Sequence, residues 1–301
     1  MGRLDLTDPL QGRRWLRLLT EDAECGFRLR PNLEVSRSEL GFSCRSNALG
    51  LRGPADERAA GVVFGTSYAM GIAVDNGENW HELALPSAGW LNLGLAVGVP
   101  EWQTLLWCHH RGATDTALVL YHPNWWVIGA QFERWRQSGR GLFASQGWQT
   151  GFGKCLELKL RKIWRRLKAR RRGEFLRFRQ AGETYEIECG YVRFDVAQNQ
   201  GLVEQALGGL QTLLAPFQRV IVARLPVKQE LVPAAARPDL LSLTVASYSK
   251  MWAMLQRRLE DGRIQFHEPP DFTMADYHPA DTHWNASGNA RFAHWVRGLV
   301  A

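Results

Sequence analysis

Apolar residues along this chain fall in two alternating patterns, short dense runs and longer stretches spaced for a helix. The first dense run is Val62-Val63-Phe64, bounded by Gly61 and Gly65 and followed by Thr66-Ser67. Similar runs recur at 90–95, 116–121 and 219–225, and a further short strand is expected at 263–266. Short apolar runs bounded by turn formers suit strands buried on both faces. Between them, residues 79–85, 101–110, 200–214, 240–259 and 286–299 carry apolar positions at helical period. Pro100 opens the second of these and Asn285 caps the last, each a residue type favoured at that helix position. Strands separated by helices predict an α/β fold, with a mainly parallel central sheet covered by helices on both faces. Residues 1–58 form a lead-in rich in turn formers, with short strands expected at 26–29 and 41–45. Between 130 and 191 the alternation breaks and the composition turns basic and aromatic, which marks an insertion.

Composition adds bounds. A chain of 301 residues that is 45% hydrophobic is long enough for one substantial core, and a single domain over 1–301 is expected. The formal charge of +7 favours anionic partners. Five cysteines, odd in number and without a C-x-x-C pair, give neither a disulfide framework nor a zinc pattern. No apolar run approaches the roughly 18 to 20 residues of a spanning helix, and residues 1–20 lack the apolar core of a signal peptide. The expected location is therefore cytoplasmic or peripheral to a membrane.

Two stretches carry candidate chemistry. Ser67 stands at the carboxyl end of the first buried strand, where open α/β sheets gather their functional groups. Asp281-Thr282-His283 precedes the last helix, and an aspartate two residues before a histidine can orient the imidazole and stabilise its charged form. A cluster at Cys108-His109-His110 invites a metal reading. Helical neighbours point about 100° apart, however, and cannot converge on one ion, so no metal and no cofactor is expected.

Taken together, these segments resemble the SGNH/GDSL hydrolase superfamily. Gly65-Thr66-Ser67 matches its first block, Asn92-Leu93-Gly94 opens the second, Asn124 matches the third, and Asp281-Thr282-His283-Trp284-Asn285 matches the last. Gly26-Phe27-Arg28-Leu29-Arg30-Pro31-Asn32 and Asn47-Ala48-Leu49-Gly50-Leu51-Arg52-Gly53 are similar to the lead-in of members associated with bacterial exopolysaccharide modification. The resemblance implies a flavodoxin-like three-layer sandwich and a Ser67-His283-Asp281 triad. It further implies an oxyanion site made by the Ser67 amide, an amide at Val97 or Gly98, and the Asn124 side chain. The implied activity is hydrolysis of an acyl ester on a carbohydrate, or O-acetyl transfer to a polysaccharide by the same serine. Thr66 replaces the family's aspartate, and His122 and Trp125 replace the residues usual around Asn124. An inactive binding or scaffold component is thus a third alternative. His122, Trp125, Trp126 and Trp284 neighbour the motif residues and are candidates for contact with a sugar.

Residues 154–179 hold twelve Lys or Arg against Glu157 and Glu174, a local net of +10 that leaves the rest of the chain at −3. Leu156, Leu160, Ile163 and Leu167 recur at helical spacing, so an amphipathic basic helix is expected in the insertion. It would pack on the domain with its basic face in solvent, or contact an anionic membrane or acidic glycan. Its interleaved apolar residues argue against a nucleic-acid tail.

Overall fold

The computed structural model describes residues 18–22, 26–37, 42–53, 59–85, 89–94, 114–123, 173–189 and 200–301. The lead-in forms two small antiparallel pairs, β1 (Leu19–Asp22) with β2 (Gly26–Leu29) and β3 (Glu34–Val35) with β4 (Cys44–Arg45). Strand β5 (Gly61–Gly65) leads into the one-turn helix α1 (Ser67–Met70), then α2 (Trp80–Ala84), β6 (Trp90–Asn92) and β7 (Thr116–Tyr121). A hairpin, β8 (Phe175–Gln180) and β9 (Glu183–Glu188), precedes α3 (Gln200–Leu214) and β10 (Arg219–Arg224). The chain ends with α4 (Asp239–Arg258), β11 (Ile264–His267) and α5 (Ala286–Val300).

Strands β5, β6, β7, β10 and β11 make one parallel sheet in the order β11-β10-β7-β5-β6. Counted along the chain this is 2-1-3-4-5, the flavodoxin-like order, whose direction of winding reverses between β5 and β7. The alternation of side chains sorts the sheet into two faces. Val62, Phe64, Val119, Tyr121, Val220 and Val222 pack with α3 and α4, together with buried lead-in residues such as Leu29 and Leu51. Val63, Leu118, Leu120, Ile221 and Ala223 pack instead with Trp80 of α2 and with Phe292, Ala293 and Val296 of α5. Both faces are covered, which is why the strands read as continuous apolar runs.

Most of the expected elements are present. The expected helix 101–110 lies outside the described residues, as does 154–172 of the basic stretch. Where the insertion is described it is β rather than helical: 175–180 pairs with 183–188 through Ala181-Gly182, both at positive φ (51° and 86°). A two-residue turn of that kind matches the twist of a hairpin. The hairpin has its own small core, in which Tyr185, Ile187 and Cys189 meet Val232, Leu241 and Met274. Among the described residues, no helix is long and apolar enough to cross a membrane.

Candidate active site

Strand β5 is buried along its whole length and ends at the sheet edge where the winding reverses. The next residues turn at once into α1, with Thr66 as N-cap and Ser67 as the first helical residue. The helix stops after one turn because Gly71 adopts a left-handed conformation (φ 74°), which glycine takes without strain. Ser67 is thus held at the carboxyl end of the sheet by a buried strand on one side and a closed turn on the other.

Three side chains fix α1. Arg52, only 2% exposed, donates to the carbonyls of Met70 (3.3 Å), Gly71 and Val74 (2.8 Å), and reaches Ser43 O (3.3 Å) from the lead-in. A guanidinium at a helix C-terminus satisfies carbonyls that have no partner within the helix. From β6, Asn92 Nδ2 donates to Ala69 O at 2.8 Å while its Oδ1 accepts from Gly94 N at 2.9 Å. A Cβ at Gly94 would lie 2.5 Å from Met70 N, so only glycine fits against the helix there. The third is Tyr68, whose hydroxyl donates to Thr282 O at 2.7 Å and ties α1 directly to the opposing loop.

That loop is built by local rules. An antiparallel bridge between Tyr277 and Trp284 closes it, and Asn285 caps α5 by accepting from Gly288 N. Inside the loop, Asp281 Oδ1 accepts the backbone N–H of His283 at 2.8 Å, an Asx turn. The same oxygen lies 2.5 Å from His283 Nδ1. The Asp-x-His spacing therefore works because the Asx turn folds the carboxylate back onto the ring two residues on. With Asp281 accepting the proton on Nδ1, Nε2 is left as the acceptor. It stands 2.8 Å from Ser67 Oγ, completing a chain from hydroxyl to imidazole to carboxylate. The side chains of His283 and Asp281 are 15% and 10% exposed, open at an edge but shielded over most of their surface.

The supporting shell is aromatic and cationic. The Tyr68 ring lies 5.0 Å, centroid to centroid, from each of His122, His283 and Trp284. His278 shares a hydrogen bond with Ala73 O at 3.2 Å, a second link between the two loops, and burial lowers its pKa. The Lys228 ammonium meets the carbonyls of His278, Pro279 and Asp281 beneath the turn. A cavity of about 210 Å³, lined in part by Arg37, Val74, Asp75, Glu78, His278 and Asn285, opens beside both loops.

The structure brings Ser67, His283 and Asp281 together. Val97, Gly98, Asn124, Trp125 and Trp126 lie outside the described residues. Trp284 is not a sugar platform: it is 2% exposed and packs among Phe272, Phe292 and Tyr68, because its place in the closing bridge turns it into the core. His122 is buried too, stacked on Tyr68 at an interplanar angle of 20°, so its ring supports Tyr68 instead of facing an open surface. Among the described residues, no three His, Cys, Asp or Glu side chains are grouped to hold a metal ion. No family model matches the chain, and no curated protein matches it in sequence. Sequence reasoning missed Tyr68 and Lys228. For Tyr68 the signal was position, next to the candidate nucleophile; a single lysine after a strand gives none.

Proposed function

We propose that this protein is a serine-dependent acyl-ester hydrolase of the SGNH type acting on an acylated carbohydrate. The observation that carries the reading is the unbroken chain Ser67 Oγ, His283 Nε2, His283 Nδ1, Asp281 Oδ1 at the carboxyl edge of the sheet. Ser67 attacks the ester carbonyl while its proton passes to His283, and Asp281 stabilises the imidazolium that forms. The tetrahedral intermediate collapses as His283 returns the proton to the leaving alcohol. Water, activated by the same ring, then releases the acid and regenerates the serine. The carbohydrate substrate rests on the resemblance to exopolysaccharide-modifying members, and release to a sugar hydroxyl instead of water would make the protein an O-acetyltransferase.

Fluorophosphonate labelling tests the proposal. Wild type is expected to label at Ser67, Ser67→Ala not at all, and His283→Ala at a rate reduced by about 10³-fold or more, since the general base and its positioned nucleophile act as a unit. Equal labelling of the wild type and Ser67→Ala would end the assignment. Acetyl groups on added glycan, in place of free acetate, would select the transferase.

A further inference from the structure

Removing a lysine ammonium from water is expensive unless its hydration shell is replaced. Lys228 is 1% exposed and sits at the start of the 3-10 turn Lys228–Leu231 that follows β10. Four backbone carbonyls surround its Nζ: His278 O at 2.8 Å, Pro279 O at 2.9 Å, Asp281 O at 3.0 Å and Glu186 O at 3.3 Å. The Tyr185 ring covers it at 5.2 Å. Three of the carbonyls belong to the turn that carries Asp281, and the fourth comes from β9. The same strand also donates from Glu186 N to Pro279 O at 2.9 Å. A compact point charge with rotatable donors fits such a shell, where a planar guanidinium would not.

We infer that Lys228 is a positioning residue for the candidate triad, a chain-borne cation around which the Asp281 turn is wrapped and through which the β8–β9 hairpin supports the site. The inference rests on the serine-ester reading. Carbonyls from three of four successive positions converge on one spot only if a positive charge offsets their mutual repulsion. That convergence sets the turn in which Asp281 reaches both the amide and the ring of His283.

The test is the rate constant for fluorophosphonate labelling of Ser67 in folded wild type, Lys228→Met and Lys228→Arg. Lys228→Met removes the charge at similar length. It is expected to lower the rate on the order of 100-fold, the effect of a small misplacement. Lys228→Arg, which keeps the charge but not its compact shape, is expected to recover only part of the rate. A folded Lys228→Met protein with the wild-type rate would overturn the inference. Should that variant not fold, or should wild type not label and the serine-ester reading itself fail, the wild-type protein decides by NMR. The Lys228 ammonium, identified by its loss in Lys228→Arg, is expected to exchange slowly and to shift in Asp281→Asn, which loosens the turn that surrounds it. A fast-exchanging or unresponsive ammonium would overturn the inference in either case.

Discussion

At the scale of single residues, buried polar groups do most of the positioning, and each leaves a measurable cost. His81, wholly buried in α2 and beside Gly53, is the clearest case. Burial lowers its pKa from 6.5 to about 4. Below pH 6.5 the unfolded chain takes a proton that the folded one refuses until about pH 4. Its contribution is therefore complete above 6.5, falls as the pH drops through that window, and changes no further below it. The loss over the window is on the order of 3 kcal/mol. Urea unfolding across this range is expected to be less pH-dependent in His81→Leu than in wild type, and an unchanged dependence would refute the assignment. The residues of the candidate triad were legible because each obeys a local rule: a serine after a glycine-ended strand, and an aspartate placed to form an Asx turn with a histidine. Arg52 and Lys228 were not legible in those roles, since two basic residues among 37 show their partners only once carbonyls distant in sequence are brought to them.

Among the elements, the junction between β5 and α1 is held by the lead-in, not by α1's own length. A one-turn helix is unstable alone, and Arg52 closes it by taking carbonyls at its end while its guanidinium lies 5.7 Å from the Phe42 ring. Arg52→Met orphans more than one buried carbonyl at about 1 to 3 kcal/mol each. The expected loss of at least about 3 kcal/mol would appear as a lower urea midpoint with an unchanged slope. Arg52→Lys is expected to recover only part of it, since an ammonium lacks the fork; full recovery would show that charge alone suffices. The large elements were readable because β5, β7, β10, α4 and α5 each hold one period throughout. Hairpin β8–β9 was not. Its alternation at Tyr185 and Ile187 is plain in retrospect, but it follows directly on a basic run of helical period, and Ala181-Gly182 is a weak turn signal compared with Asn-Gly or Asp-Gly.

For the whole molecule, the sheet order explains why the candidate site stands where β5 and β7 diverge, and the pattern of strands and helices was sufficient to predict a parallel α/β sheet. The pairing order itself was not written in any one segment, because it depends on contacts between strands far apart along the chain. The same separation governs how the site comes into being. Ser67 and His283 are 216 positions apart, and the Tyr68–Thr282 and Trp80–Asn289 hydrogen bonds span 214 and 209. Closing so long a loop is entropically slow, and contacts of this range form late. Under the proposed chemistry, labelling of Ser67 would therefore be a clock for the last stage of folding. When the protein refolds from urea, fluorophosphonate labelling is expected to lag the recovery of helical circular dichroism, whereas labelling that returns with the first helical signal would mean that the two ends of the chain meet before the sheet between them is built.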